Sequence, residues 1–443
     1  YTQYSFGTGS SYNNNNDDDP YSALFSYNST IRDAFFKQDF DWYLNPKSTI
    51  KFGSVQSVKF YSPNVNVITT QSNSLNTDTL IGVPLFTTYE ISNFIEDDQA
   101  INTKLKLNVG LRHNLFATKG YIKNSIEPRL ALRYLFTPNF SVKAAYGYVT
   151  QNLHLLTNSG VGLPTDLWVP ATKRIIPEKS HQWVLGVFKD VDGKLDLSVE
   201  GFYKTMNNVI EYKEGASFAN SFQNWEDKVA IGKGTSYGTE LFIHKKEGKT
   251  NGWLSYTLSW TNRLFEELNN GKVFPFKYDR RHYFNLFFNQ QLKKKNRNVS
   301  LSWTYATGSA VTLPSQKQNT IDPNYTGYFD NILNGQLNSF SGQTTYAPSR
   351  NNYRMRDYHR LDLAYNATKT KKHGERTWSL GIYNLYARRN PFYLYQEQNY
   401  ELKSIYDAQG NFVEFKNVYQ GIVIKEFSLF SFIPFISYQF KYK

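Results

Sequence analysis

The chain has 443 residues, no cysteine, and a formal net charge of +13 from 50 Lys and Arg against 37 Asp and Glu. Aromatic residues make up 17% of it, although apolar residues of all kinds reach only 40% and the mean hydropathy is −0.56. Disulfide frameworks, thiolate metal sites and cysteine nucleophiles are excluded together, and so is an α-helical membrane protein, because no segment approaches the roughly 18 unbroken apolar residues of a spanning helix. A membrane β-barrel is not excluded, since its polar inner face keeps mean hydropathy low while every second residue is apolar. Tyr and Phe in excess suit strands, where rings pack on a pleated surface, and membrane interfaces, where an amphipathic ring sits half wet.

In chain order, residues 1–30 are expected as an outer loop, and residues 31–443 as one all-β unit starting with a strand near 31–44. Alternation of period two then recurs along the chain. Leu130, Leu132, Tyr134 and Phe136 alternate with Arg129 and Arg133, and Val142, Ala144 and Tyr146 with Ser141 and Lys143. Leu197 and Val199 alternate with Ser198 and Glu200, Leu254, Tyr256, Leu258 and Trp260 with serines and threonine, and Val299, Leu301 and Trp303 with Ser300 and Ser302. The last run places Tyr438, Phe440 and Tyr442 on one face and Gln439 and Lys441 on the other. About 17 such segments are present, many long enough for a transmembrane strand, and none has helical period.

The connections alternate in length. Short turns fall at 45–48, 137–139, 190–193, 248–252, 293–297 and 407–411, and long connections at 62–86, 150–178, 206–231, 264–277 and 308–356. Short turns at one end and long loops at the other is the arrangement of outer-membrane barrels, whose short turns are periplasmic. Several short turns are basic, as at 293–295 and 369–376, which places positive charge beside lipid headgroups and favours that role over nucleic-acid binding. The last strand descends to the short-turn side, and counting back makes the first one descend too. The sequence is therefore expected to begin outside and end inside, as the C-terminal part of a larger, even-stranded barrel, in keeping with the lack of a signal peptide at Tyr1.

Motifs for catalysis fail on context. Gly234-Thr235-Ser236-Tyr237-Gly238 matches the hydrolase elbow, but that motif needs a helix after it and a strand pattern follows. Gly248-Lys249-Thr250 lacks the earlier glycine of a phosphate loop, and the seven histidines never fall three to five apart, so no catalytic or metal site is expected. Asp279-Arg280-Arg281-His282 reads as an ion-paired rim, bridged to lipopolysaccharide phosphates or neighbouring loops, in preference to a ligand site. The 13–19 Asn/Asp tract lacks the spacing of a calcium loop and reads as a solvated loop. Trp168, Trp225, Tyr325, Tyr328 and Phe329 lie in the long connections, where rings either stack on a ligand or pack the loops.

Three sets of residues then carry a resemblance. Glu127-Pro128-Arg129-Leu130, Leu153-His154-Leu155-Leu156-Thr157-Asn158-Ser159-Gly160 and Leu163-Pro164-Thr165-Asp166-Leu167-Trp168-Val169-Pro170 form the first. Gly234 to Leu241 and Phe274-Pro275-Phe276-Lys277-Tyr278-Asp279-Arg280-Arg281-His282 form the second, and Tyr383-Asn384-Leu385-Tyr386 with Asn390-Pro391-Phe392 the third. In this order they resemble the barrel of Bacteroidetes-type TonB-dependent outer-membrane receptors of the SusC-like superfamily. The resemblance implies a 22-stranded transmembrane barrel in the cell outer membrane, an N-terminal plug not contained in these residues, and energy delivered by TonB. It implies active import of a large nutrient, no cofactor and no nucleic acid. A SusD-like surface lipoprotein lid, lipopolysaccharide and outer-membrane lipids are the further partners.

The long loops and the plug are expected to capture ligand, with Trp168, Trp225, Tyr325, Tyr328 and Phe329 as binding candidates. By alternation, Arg129, Arg133, Lys143, Glu200, Glu240, Tyr283, Asn285 and Asp362 are expected to face the lumen and plug. The rival reading is a structural or interaction subunit of a larger surface or secretion complex. Glycan, peptide, siderophore and cobalamin are not distinguished by these residues.

Overall fold

The computed structural model describes residues 2–14, 21–71, 76–82, 86–160, 166–216, 224–293, 296–320, 342–406 and 412–442, with side chains from residue 30 onward in the first arm. Sixteen strands follow one another in a single antiparallel sheet. They are β1 (Thr2–Asn14), β2 (Tyr21–Asn45), β3 (Ser48–Gln71), β4 (Phe86–Ala100), β5 (Leu105–Thr118), β6 (Tyr121–Thr137), β7 (Phe140–Gln151) and β8 (Glu178–Val191), then β9 (Leu195–Tyr212), β10 (Val229–Lys245), β11 (Thr250–Leu264), β12 (His282–Gln291), β13 (Arg297–Ala306), β14 (Tyr358–Lys371), β15 (Gly374–Tyr383) and β16 (Ile433–Tyr442). Two short strands, Asn76–Gly82 on β3 and Phe274–Pro275 on β11, join the same sheet. Each long strand pairs with the next in sequence, so the connectivity is a meander.

The register gives the sheet two chemically distinct faces. Arg133 lies opposite Lys143, Lys143 opposite Gly186, Gly186 opposite Glu200, and Glu200 opposite Glu240. Directly opposite residues share a face, and one residue along each strand the chemistry inverts. Tyr134, Val142, Val187, Val199, Leu241 and Tyr256 form a row of cross-strand partners on the other face. Gly186 is required where it stands, because a Cβ there would come within 2.7 Å of the Glu200 side chain.

An aromatic row crosses the apolar face near its long-loop end. Tyr146 and Trp183 have ring centroids 5.6 Å apart, Trp183 and Tyr203 5.9 Å, Tyr203 and Tyr237 6.4 Å, and Tyr237 and Trp260 5.3 Å. Amphipathic rings at one height around an otherwise aliphatic face mark a membrane–water interface.

At one end the strands turn tightly. Val191–Lys194 closes with a 3.0 Å hydrogen bond and places Asp192 and Gly193 at positive φ, the Asp-Gly signature of a hairpin turn. At the other end lie the long connections, with one exception at Lys119 and Gly120, where β5 turns directly into β6.

Two expectations are corrected here. Residues 1–30 are not a loop in their described parts: β1 pairs with the first half of β2 from Thr2 with Asp33 to Asn14 with Tyr21. The tract at 13–19 falls largely outside the described residues. The second correction concerns 407–411, expected as a short turn of the wall. Those residues lie outside the described ones, but the strands on either side, Tyr393–Tyr406 and Phe412–Phe427, pair only with each other. They form a separate hairpin within the long connection from β15 to β16. Their alternation is as clear as that of the wall strands, which is why the sequence pattern does not separate them.

Candidate functional site

The eight residues expected to face the lumen and plug share one face of the sheet, the polar one. Arg129 and Arg133 stand on β6, Lys143 on β7, Glu200 on β9, Glu240 on β10, Tyr283 and Asn285 on β12, and Asp362 on β14, and the ladder partners place them on one side of the sheet. Several are tied to neighbours. Arg129 pairs with Glu96 at 3.6 Å, the Lys143 ammonium sits 3.7 Å from the Phe188 ring, Asn285 accepts a hydrogen bond from Thr304 at 2.8 Å, and Asp362 pairs with Arg360 at 2.9 Å. Glu200 and Glu240 face each other across the ladder with no ion-pair partner among the described residues, leaving an acidic spot on this face.

The long connections pack into a cap with its own apolar cores. Residues Leu153–Leu156 and Leu167–Pro170 pair, and Leu156, Leu167 and Val169 are buried with Ile175, Ile210, Tyr212, Trp225 and Val229. A second core joins Met206, Val209, Ala230, Phe265, Leu268 and Phe274. A 3₁₀ turn, Trp225–Lys228, capped by the Asn224 side chain, drives Trp225 inward.

Trp225 is thereby corrected as a ligand-stacking candidate: it is 3% exposed in the first core, so neither ring face is free. Trp168 alternates with the buried Leu167 and Val169 on the same strand and remains half-buried, with its side chain on the opposite face. Tyr325, Tyr328 and Phe329 lie outside the described residues.

Charged groups stitch the cap to the strand ends. Asp279, with a fully buried side chain, accepts from the Thr261 backbone N–H at 2.6 Å and pairs with Arg281 at 3.4 Å and with Arg354. The Asp279-Arg280-Arg281-His282 group is thus bound to neighbouring loops, as expected of an ion-paired rim. Lys277 pairs with Asp166 at 2.8 Å, and the Tyr278 hydroxyl donates to the other oxygen of Asp166.

Glu211 is buried beside Thr157, 3.2 Å away, and Arg350, 4.0 Å away; burial raises its carboxyl above the ordinary range against the pull of Arg350 and Arg263. Arg263 stacks 4.3 Å from the Phe276 ring and keeps Nε and Nη1 buried without a protein acceptor. These partners are up to 136 residues apart, as for Arg350 and Glu214, so the motif stretches contain the residues without revealing which of them meet.

Residues 1–385 match the family described as TonB dependent receptor-like, beta-barrel. Among solved structures, the chain is similar to the ferric yersiniabactin uptake receptor FyuA from Yersinia pestis, at 12% identity and a TM-score of 0.53, covering 98% of this chain and 61% of that one. It is similar also to the FrpB iron transporter from Neisseria meningitidis, at 11% identity and a TM-score of 0.53, covering 84% of this chain and 55% of that one. The pyoverdine outer membrane receptor FpvA from Pseudomonas aeruginosa PAO1 aligns at 14% identity and a TM-score of 0.50, over 85% of this chain and 50% of that one. No curated protein matches the sequence significantly.

The chain spans about half the length of the solved proteins it resembles, from 50% to 61%. It belongs to the TonB-dependent receptor β-barrel family, whose members sit in the outer membrane. Gly234–Gly238 lies inside β10, and the next described element is again a strand, so the hydrolase-elbow context is not met there. In barrels of this family's kind a polar face lines the lumen and an apolar one, flanked by aromatic rings at the interfaces, meets lipid.

Proposed function

We propose that the chain forms the wall of an importer that carries a nutrient too large for passive pores, with an N-terminal plug seated against the polar face and energy supplied through TonB. The observation that supports this most is the polar face that recurs across the meander, interrupted by aromatics such as Phe188, Trp253 and Phe287. Arg129, Arg133, Lys143, Glu200, Glu240, Tyr283, Asn285 and Asp362 offer the plug charges and hydrogen bonds of both signs on a rigid wall. On this reading ligand is met at the cap, where Trp168 offers a partly free ring. A partly free indole favours a ligand with a flat or cyclic body. Two of the solved neighbours are named as an iron transporter and a ferric yersiniabactin uptake receptor.

The Leu153–Gly160 and Leu163–Pro170 motifs further favour the Bacteroidetes SusC-like subgroup, and with it a SusD-like lipoprotein lid over the cap. The connection from β13 to β14, with its paired strands Gln316–Thr320 and Gly342–Tyr346, is the segment proposed to meet lid or ligand, and Tyr325, Tyr328 and Phe329 fall within it.

A strain lacking the receptor should lose energy-dependent uptake of a large nutrient, and collapse of the proton gradient should abolish uptake in the parent. Uptake that persists without the gradient would make the barrel a passive channel. The interaction-subunit reading gains support from the separate hairpin, where Tyr400, Leu402, Phe415 and Tyr419 are all more than half exposed. It takes precedence if no nutrient is affected and surface assembly fails instead.

A further inference from the structure

We infer that the separate hairpin is a self-pairing element: its Tyr393–Tyr406 edge adds antiparallel to the same edge of a second copy of this chain, about a two-fold axis through Leu402. The inference rests on the hairpin alone and holds whether or not the barrel imports a nutrient.

The hairpin is fixed at its base. Leu394 is buried with Val311 and Met355, Glu426 pairs with Arg356, and the Phe392 N–H donates to the Phe427 carbonyl at 2.7 Å. Beyond that base its strands pair with no third strand among the described residues. Two strands alone are marginal in water, and a sheet becomes independently stable at three or more. The hairpin has two unlike faces: Tyr400, Leu402, Phe415 and Tyr419 share one, at 52% to 63% exposure, and Glu401, Lys403, Glu414 and Lys416 share the other. Its two edges also differ. On the Phe412–Phe427 strand the register skips Val413 and Gln420, two bulges of the kind that keep an edge from pairing. The Tyr393–Tyr406 strand is regular throughout and holds no proline, which leaves it as the edge open to strand addition.

Charge selects the occupant and the register. Lys403 lies directly opposite Lys416, an unfavourable like-charge pair, and it reaches Glu401 on its own strand at 3.4 Å. The run Glu401-Leu402-Lys403 is complementary to itself when reversed. With Leu402 opposite Leu402 of the second copy, Glu401 falls opposite Lys403 of that copy and Lys403 opposite its Glu401. Both copies gain the same pairs, and each Lys403–Lys416 couple acquires an acid beside it. On the other face Tyr400 falls opposite Ser404 of the second copy. That sets the Tyr400 and Tyr419 rings, 5.7 Å apart, in one row with Phe415 of that copy. Moving the axis to Glu401 or Lys403 would oppose like charges. An axis through Tyr400 would call on Glu397, which Lys425 already holds at 2.7 Å. A lipid surface offers no strand edge, and a foreign strand would need by chance the complement that a second copy carries by symmetry.

The test uses the complete receptor, in intact cells and after extraction in mild detergent. These 443 residues contain no cysteine, and any elsewhere in the receptor is replaced by serine. Leu402→Cys then places one thiol on the axis, where opposed Cα atoms stand about 4.5–5.5 Å apart, within disulfide reach. Mild oxidation should convert Leu402→Cys to a covalent dimer, and Tyr400→Cys combined with Ser404→Cys likewise. Tyr400→Cys alone and Ser404→Cys alone should stay uncrosslinked. Glu401→Lys should weaken self-association roughly tenfold in a dilution series followed by mass photometry. Glu401→Lys with Lys403→Glu, which restores the pairs with their signs exchanged, should recover it, and that recovery separates lost pairing from lost folding. Failure of the exchange to recover association overturns the inference, and so does cross-linking of Tyr400→Cys alone in place of Leu402→Cys. A parent that stays monomeric at every concentration overturns it as well, including one whose hairpin instead binds phosphatidylethanolamine vesicles or another protein.

Discussion

In the wall, a residue's surroundings follow from whether its number is odd or even. Val142 and Val187 face lipid while Lys143 and Gly186, one step along, face the lumen. In the cap the same chain buries Trp225 at 3% exposure, Val169 and Leu156 at 0% and the carboxylate of Glu211 at 1%, in an interior assembled from several separate connections. The difference is one of solvent. A wall strand meets lipid on one side and polar lumen on the other, so it needs no third layer, whereas cap loops stand in water and must make their own interior. The two regions should therefore respond to different insults.

The largest separation comes from Trp225→Ala. Emptying the space of a fully buried tryptophan should cost the cap about 3–5 kcal/mol, seen as faster proteolysis between 213 and 228 or faster amide exchange there. The wall should keep its heat-resistant mobility in detergent gels. If the wall melts earlier as well, cap and wall are one cooperative unit and the comparison fails.

The wall has its own asymmetry to be tested. Val187→Arg puts a charge on the lipid side and should lower the stability of the inserted barrel by about 2–4 kcal/mol. Lys143→Gln, on the adjoining strand and the opposite face, loses only the contact with Phe188 and should cost under about 1 kcal/mol. Urea titration of barrels refolded into vesicles measures both, and equal effects would mean that the two faces are not exposed to different media.

These contrasts also explain what was legible in the sequence. Period two is written into every wall strand, so the shared face of Arg129, Glu200 and Asp362 was readable from alternation alone. Trp225 was not, because its burial depends on Leu156, Leu167 and Ile210 arriving from distant connections. The hairpin at 393–427 misled for a different reason, since alternation records that a segment is a strand and not which strand it pairs with. Asp166, Lys277 and Tyr278 stood in the quoted motifs, yet their contact spans about a quarter of the chain, 111 residues from Lys277 to Asp166.

A smaller effect is expected at the joint between the regions. Asp279→Asn keeps a group able to accept from Thr261 but leaves Arg281 and Arg354 without their counter-charge. A fully buried pair broken in this way costs 3–5 kcal/mol. Both arginines are partly wet, at 28% and 31% side-chain exposure, so about 2 kcal/mol is expected. Amide exchange should quicken at 277–282 and 353–357 together. Exchange confined to one segment would show that Asp279 is not their common tie.

The smallest effect is a dependence of the cap on pH. Burial holds the His154 imidazole down to about 4, only partly offset by its hydrogen bond to the Ile176 carbonyl at 3.1 Å. In the folded cap His154 therefore stays neutral across a range in which an unfolded cap would take up a proton. Above the ordinary value of 6.5 the two states bind equally and nothing changes. As pH falls from 6.5 towards 4 the unfolded form gains a proton that the folded form refuses, so stability is lost, by about 1.4 kcal/mol at pH 5.5. Glu211 works the other way: with its folded carboxyl raised by burial, it stabilises the folded cap more at low pH and loses that contribution as pH rises. The two are separated by His154→Gln, which keeps a donor for Ile176 and removes the titration. Proteolysis of the cap at pH 5.5 relative to pH 7 should accelerate in the parent and not in His154→Gln. The same acceleration in both would assign the pH response to another group and leave His154 without a part in it.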